Sequence, residues 1–261
     1  MDDSSGAPAP TGSEEPDPAL ALDWLGRPVR CDQCRHRSLR RDDLCRKGAR
    51  CVRDRRSRRV DLFFSAHPDL ADEYLDHPYF EVRAVAARYG TLFRLPPLLE
   101  DQEAEVRAMA VLRLPPARIE HLAADPDRRV RAAVANRVGG TALMRMLGDP
   151  DPHVRMVVVR RLPPDVLAVA VGDADSGVRR WVARRLAPGQ LDRMVHDDDP
   201  LVRREVAERL PAGLLRLLAR DPDLRVRYTV AERIDPALLS PFLDDADKAV
   251  REIARQRLGQ G

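Results

Sequence analysis

The chain has 261 residues, of which 44% are hydrophobic, 33% charged and 4% aromatic, with a formal net charge of +3. That length allows about one or two domains, and the hydrophobic share is enough for a core. No run of about 18 apolar residues exists, which excludes a transmembrane helix. The opening MDDSSGAPAPTGSEEPDPA has neither a basic n-region nor an apolar stretch, so a secretory signal is not expected and the cytoplasm is the expected compartment.

Charge divides the chain into three parts. Residues 1–26 carry six acidic side chains and no basic ones. Rich in Pro, Ala, Ser and Asp, residues 1–18 are expected to be disordered, and residues 1–23 form an acidic tail. Residues 27–59 carry fourteen Arg or Lys against four Asp, a net +10. Taking −6 and +10 from the total of +3 leaves −1 for residues 60–261. The basic excess belongs to the short middle segment.

That segment also holds all four cysteines, in the order CDQCRHRSLRRDDLCRKGARC. In a reducing compartment such a set points to metal ligation rather than disulfides. Cys31, Cys34, Cys45 and Cys51 are spaced C-x2-C-x10-C-x5-C. The two-residue gap lets neighbouring thiolates face one centre, and four thiolates suit zinc or an iron–sulfur cluster. The spacing matches neither the usual paired zinc pattern nor the ferredoxin runs. Either centre carries about −2 with four thiolates, and surrounding Arg and Lys stabilise such an anion and lower thiol pKa values. Charge therefore supports a metal–thiolate site and leaves the metal open. His36 lies inside the segment as a possible substitute ligand, with a plain structural histidine as the competing reading. Trp24 and Leu25, just upstream, are expected to pack over the site and limit its access to water.

From residue 60 onward the chain is periodic. A Val-Arg pair recurs every 24 residues at Val82, Val106, Val130, Val154, Val178, Val202, Val226 and Val250. Asp stands five residues before the Val in seven of these eight copies, and Leu, Ile or Val stands eight residues after it in seven. Each copy reads as an Asp-Pro-Asp turn that opens and caps a helix. The helix runs about nine residues, with apolar positions at offsets 0, 4, 5 and 8 on one face. Pro-Pro or Pro-Gly stops it. A second apolar piece follows, such as ALMRML at 142–147. Two full α-helices and two turns do not fit in 24 residues, so this piece is predicted to be a single turn of 3₁₀ type. Gly139-Gly140 reads as a turn. No copy can bury its face alone, so the copies must stack.

Arg follows the anchor Val in all eight copies and stands seven residues after it in seven. A ladder of Asp–Arg pairs between adjacent turns explains this better than a nucleic-acid-binding stripe. The array is nearly neutral and has few aromatic rings on which bases could stack. His67, His77, His121, His153 and His196 are scattered, several of them in inter-repeat turns where solvation is expected. Trp181 reads as core or groove. No phosphate-binding glycine loop, no nucleophile with a matched base and no isolated acid pair is present, so the chain does not read as an enzyme.

The unit DPDxxVRxxVAxRLP is similar to the leucine-rich repeat variant, and its pairing with an N-terminal four-cysteine segment resembles members of that family. The resemblance covers about residues 24–261. It implies an all-α fold: a right-handed solenoid of alternating α- and 3₁₀-helices built from 24-residue repeats, with a small N-terminal metal-binding cap. The implied divisions are the acidic tail at 1–23, an iron–sulfur domain at 24–59 and a solenoid at 60–261. The solenoid has about eight regular repeats after a degenerate first one, in which Val60 is off register. The implied cofactor is a [4Fe-4S] cluster on Cys31, Cys34, Cys45 and Cys51, with zinc as the alternative. No reaction is implied. The expected role is a redox-sensing or electron-transfer-linked scaffold that meets a protein partner through the solenoid surface. The alternative is a zinc- or cluster-capped nucleic-acid binder acting through the basic 27–59 segment.

Overall fold

The computed structural model describes residues 21–41 and 44–259. The stretch expected to be disordered, 1–18, lies outside the described residues. Ala21, Leu22 and Asp23, placed in the acidic tail above, are built into the cysteine segment. Ala21 is fully buried and its carbonyl accepts the Val29 N–H at 2.9 Å. The chain divides into two compact units, Met1–Leu114 and Pro115–Gly261.

The first unit begins with the irregular cysteine segment and continues with helices Ser57–Ala66, Phe80–Tyr89 and Ala104–Arg113. The middle helix packs against both others. Between them run the 3₁₀ stretches Pro68–Tyr74, Leu92–Arg94 and Pro96–Glu100. The first helix begins one residue short of the 24-residue step (Ser57 to Phe80) and buries Val60, Phe63 and Phe64 where later copies bury Val and Ala. This is the degenerate repeat.

The second unit contains helices Arg128–Ala135, Pro152–Arg161, Ser176–Arg185, Pro200–Arg209, Leu224–Arg233 and Lys248–Gly259, each packed on the next. The anchor positions explain the packing. Val154, Val158, Val159 and Leu162 are buried, as are their counterparts at 178, 182, 183 and 186 and at 202, 206, 207 and 210. The helix stops where proline forces its predecessor into extended geometry, as at Leu162 with ψ 145° before Pro163. The second piece is longer than one turn. Pro164–Ala170, Pro188–Met194 and Ala212–Leu218 are seven-residue 3₁₀ stretches. A 3₁₀-helix rises about 2.0 Å per residue against about 1.5 Å in an α-helix, so seven residues suffice to run the length of the ten-residue helix beside them.

The Asp-Pro-Asp turn divides two tasks between its carboxylates. The third residue caps the helix: Asp151, Asp199 and Asp223 accept the N–H of His153, Leu201 and Arg225 at 2.8 Å. The first residue closes a turn on the N–H two residues on and also receives the Arg of the preceding repeat. Arg155 grips Asp173 through two bonds of 2.8 Å, and Arg179–Asp197, Arg203–Asp221 and Arg227–Asp245 repeat the arrangement. Each such Arg also donates to the carbonyl six residues upstream, as Arg155 does to Asp149 at 2.8 Å. In the first unit Arg83 pairs with Asp101 in the same way.

The Arg seven residues after the anchor does something else. It reaches the carbonyl end of the preceding helix: Arg161 bonds Ala135 and Val138 carbonyls at 2.5 Å, Arg257 bonds Ala231 and Ile234, and Arg185 bonds Val159. Those carbonyls have no partner within their own helix, and a cation there also opposes the negative end of the helix dipole.

One repeat departs from the pattern. Helix Arg128–Ala135 is shortened, and Gly140, with φ of +55°, starts an extra helix Gly140–Arg145. A left-handed residue there favours glycine. Beside it opens a cavity of about 770 Å³ lined in part by Ala123, Val134, Val138, Ala142 and Met146.

Candidate metal centre

The cysteine segment folds around three short-range devices. Asp23 takes the Leu25 and Arg27 N–H groups on its carboxylate, each at 2.9 Å, and turns the chain back. The antiparallel bridge Leu22–Pro28 then lays Ala21 and Val29 against Cys51, with Cys31 packed on the same small core. Cys34 follows one turn later, its N–H bonded to the Cys31 carbonyl at 3.2 Å. The third device is a tight hairpin between the other two cysteines. Arg46 and Arg50 exchange backbone bonds of 2.8 and 2.9 Å around Lys47, Gly48 and Ala49. Gly48 has φ of +78°, as a three-residue hairpin loop demands. The hairpin brings Cys45 and Cys51, six positions apart, to one place.

All four cysteines are free thiols, with Cys45 and Cys51 buried and Cys31 and Cys34 half-buried. Cys45 and Cys51 share a side-chain hydrogen bond. It draws the Cys45 thiol below its ordinary range, with burial opposing and Arg40 assisting, and it pushes the Cys51 thiol up, as does burial. One member of the pair therefore releases its proton first and accepts from the other. Cys45 also feels the charges of Cys34 and Cys31. The four thiols thus occupy a common neighbourhood. Among the described residues, no three His, Cys, Asp or Glu side chains converge on a position fit for a single ion.

The remaining candidates are placed elsewhere. His36 is buried and its Nε2 is bonded to the Tyr74 hydroxyl at 2.6 Å. Burial first, then Arg35 and His67, holds its pKa below the usual value. Burial likewise raises Tyr74 to about 12. This is a structural histidine joining the cysteine segment to the first repeat. His67 is also buried, with Nε2 at 3.2 Å from the Leu44 carbonyl, and is not a solvated turn residue. His121, His153 and His196 are exposed. Trp24 stacks on Tyr79 with ring centroids 6.3 Å apart and an interplanar angle of 13°, and turns an edge to His77. It and Leu25 remain 40% and 48% exposed. The expected cover over the cysteines is instead a brace on the turn before the second helix, because Tyr79 offers Trp24 a flat partner there. Trp181 is half-buried between the guanidinium groups of Arg160 and Arg184, 4.6 and 5.2 Å from its ring.

Two features of the segment escaped the sequence reading. Asp54 is buried and neutralised by Arg59 at 2.8 Å. An acid and a base five residues apart around a helix start is the only local trace of that pair. The Arg46–Arg50 hairpin had a clearer signal, the glycine in Arg-Lys-Gly-Ala-Arg.

Comparison with known proteins fits this geometry. Residues 21–73 match the family described as leucine-rich repeat variant protein FeS4 cluster, a span that starts at the buried Ala21. Residues 104–127 and 200–223 match the leucine-rich repeat variant. An uncharacterised 27.7 kDa protein in the nifB 3′ region of Rhodobacter capsulatus is 47% identical over 90 residues. That match spans 34% of this chain and 36% of the relative, about a third of the relative's length. A solved structure described as a leucine-rich repeat variant with a novel repetitive structural motif is 39% identical, with a TM-score of 0.81. The match covers 88% of this chain and 98% of that one. The 24-residue α/3₁₀ repeat, the four-cysteine segment before it and these likenesses agree: the chain belongs to the leucine-rich repeat variant family, in the form that carries an N-terminal iron–sulfur domain.

Proposed function

We propose that this protein binds a [4Fe-4S] cluster on Cys31, Cys34, Cys45 and Cys51 and acts as a redox-linked protein-interaction scaffold, not as an enzyme. The observation that carries the reading is the folding of four free thiols into one basic neighbourhood within the stretch that matches the family's iron–sulfur domain. The donor set fits the group. Thiols must lose their protons to bind a metal, so binding releases protons and trades them for metal. When bound, the cluster supplies one-electron chemistry or a sensor of oxidants. The chain's own residues do the rest. The small Ala21–Val29–Cys51 core excludes water, and the hairpin fixes two ligands. The repeat array fits protein interaction, and no helix among the described residues is long and apolar enough to cross a membrane.

The test is anaerobic purification followed by iron, sulfide and zinc analysis with an absorption spectrum. About four irons and four sulfides, with a band near 400 nm that bleaches on reduction, are expected. One zinc and no visible absorbance would overturn the cluster and make the cap purely structural.

A further inference from the structure

The basic segment has a more definite shape than its charge count suggests. Ten of its cationic side chains are exposed: Arg27, Arg30, Arg35, Arg37, Arg40, Arg41, Arg46, Lys47, Arg55 and Arg58. Among the described residues, Arg35 has its carboxylate partner in Glu73, and Asp54 is already spent on the buried Arg59. These ten cations face solvent. Arg46 and Lys47 stand on the hairpin that leads directly into both buried cysteines. Between its arms and the first helix is a hollow of about 140 Å³ lined by Arg46, Ala49, Arg50 and Leu62. Leu62 is 41% exposed there, and Leu44, beside Cys45, is 38% exposed.

We propose that this hairpin face is the docking surface for a partner protein with an acidic face, so that the partner meets the chain over its cysteines rather than along the repeats. The proposal rests on the metal–thiolate reading of the four cysteines only for its purpose; the contact itself is between polypeptide surfaces. Positive charge steers an acidic protein during encounter. Exposed leucines among the cations supply the apolar contact that a protein interface uses and a phosphate backbone does not. Nucleic acid is the poorer fit. One face of Trp24 is covered by Tyr79, while Phe63, Phe64 and Tyr74 are buried, which leaves little platform for stacked bases.

The test measures association of the full-length protein with an acidic flavodoxin and, as a charge-reversed control, with a basic cytochrome c. The flavodoxin is expected to bind, with an on-rate that falls about tenfold from low to physiological salt. Arg46→Glu with Lys47→Glu should lower that rate by at least about tenfold, whereas Arg118→Glu with Arg193→Glu, equal in charge but distant along the chain, should leave it within about twofold. Iron content is measured on the same samples. If hairpin and distant reversals act alike, or if neither acts, the docking face is wrong. Tighter binding to duplex DNA than to flavodoxin would replace the protein partner with nucleic acid. Binding that follows the hairpin in protein lacking iron would sink the cluster assignment while leaving the docking face standing.

Discussion

Replacing Asp221 by Ala tests whether the Arg–Asp ladder is an energetic element or a surface ornament. Arg203 holds Asp221 through bonds of 2.6 and 2.8 Å, with the two side chains only 11% and 3% exposed. The same guanidinium bonds the carbonyls of Asp197 at 2.7 Å and Asp198 at 3.2 Å. Asp221 also accepts the Asp223 N–H at 2.9 Å, which sets the turn for the next helix. Water screens so enclosed a pair weakly. Truncating one partner leaves a buried charge uncompensated, and the expected loss is about 3–5 kcal/mol. Adding Arg203→Met removes that stranded charge, so the double variant should recover about 2 kcal/mol, a positive coupling in a double-mutant cycle. The comparison pair is Lys248–Glu252, 3.4 Å apart and 81% and 59% exposed. Glu252→Ala should cost less than about 0.5 kcal/mol. Urea unfolding followed by circular dichroism reads the global loss. Hydrogen exchange over 200–224 reads the local one, since repeat arrays need not unfold in one step. If Asp221→Ala cost no more than Glu252→Ala and the two ladder substitutions simply added, the ladder would not hold the repeats together.

Other expectations follow from the same geometry. Ala123 lines the 770 Å³ cavity at the repeat position that Leu147 holds one copy later, so Ala123→Leu should raise stability by about 0.5–1 kcal/mol in urea unfolding; a loss would show that the hollow cannot accept the added carbons. Asp223 is held down at about 2, first by the Arg225 side chain and then, against the opposing pull of burial, by the Arg225 N–H. Its folded value lies below the ordinary carboxylate value of about 3.9, so its contribution is full above that and is lost as pH falls toward 2. The gap in urea midpoint between the native protein and Asp223→Asn should close over that range. Cys45→Ser should abolish iron binding while the helical circular dichroism of the repeats persists, because each repeat contacts only its neighbours; collapse of the whole spectrum would contradict that independence.

The repeats were legible because their information is periodic. A Val every 24 residues, with apolar residues at offsets 4, 5 and 8, fixes which face each helix buries, and every interior copy follows it. What stayed hidden depends on stacking. The Arg at offset 7 looks like one more surface cation until the preceding helix is laid beside it, when it becomes the cap of that helix's carbonyl end. The cysteine spacing pointed to a shared site, but the hairpin that joins Cys45 to Cys51 rests on one glycine at positive φ, which spacing alone does not reveal.

His77 shows the same limit and leads to a testable consequence. It stands five residues before Val82, where the seven other copies have Asp. Its Nδ1 accepts the Tyr79 N–H at 3.1 Å, the bond that Asp101 makes to Glu103 at 2.9 Å. The turn is kept, but its acceptor has become one that a proton can remove. Burial first, with Arg83 adding and Asp76 opposing, holds the His77 pKa below its usual value. The folded value lies below the unfolded one, so the stabilisation is present above about 6.5 and is lost as pH falls through the folded value. Substituting Asp at this position restores an acceptor that stays ionised throughout that range. In thermal melts from pH 7.5 to 5, the native protein should lose stability relative to His77→Asp. Parallel pH dependence in the two would mean that the Tyr79 N–H does not need the neutral imidazole, and that the first repeat is entered without the turn bond the other copies share.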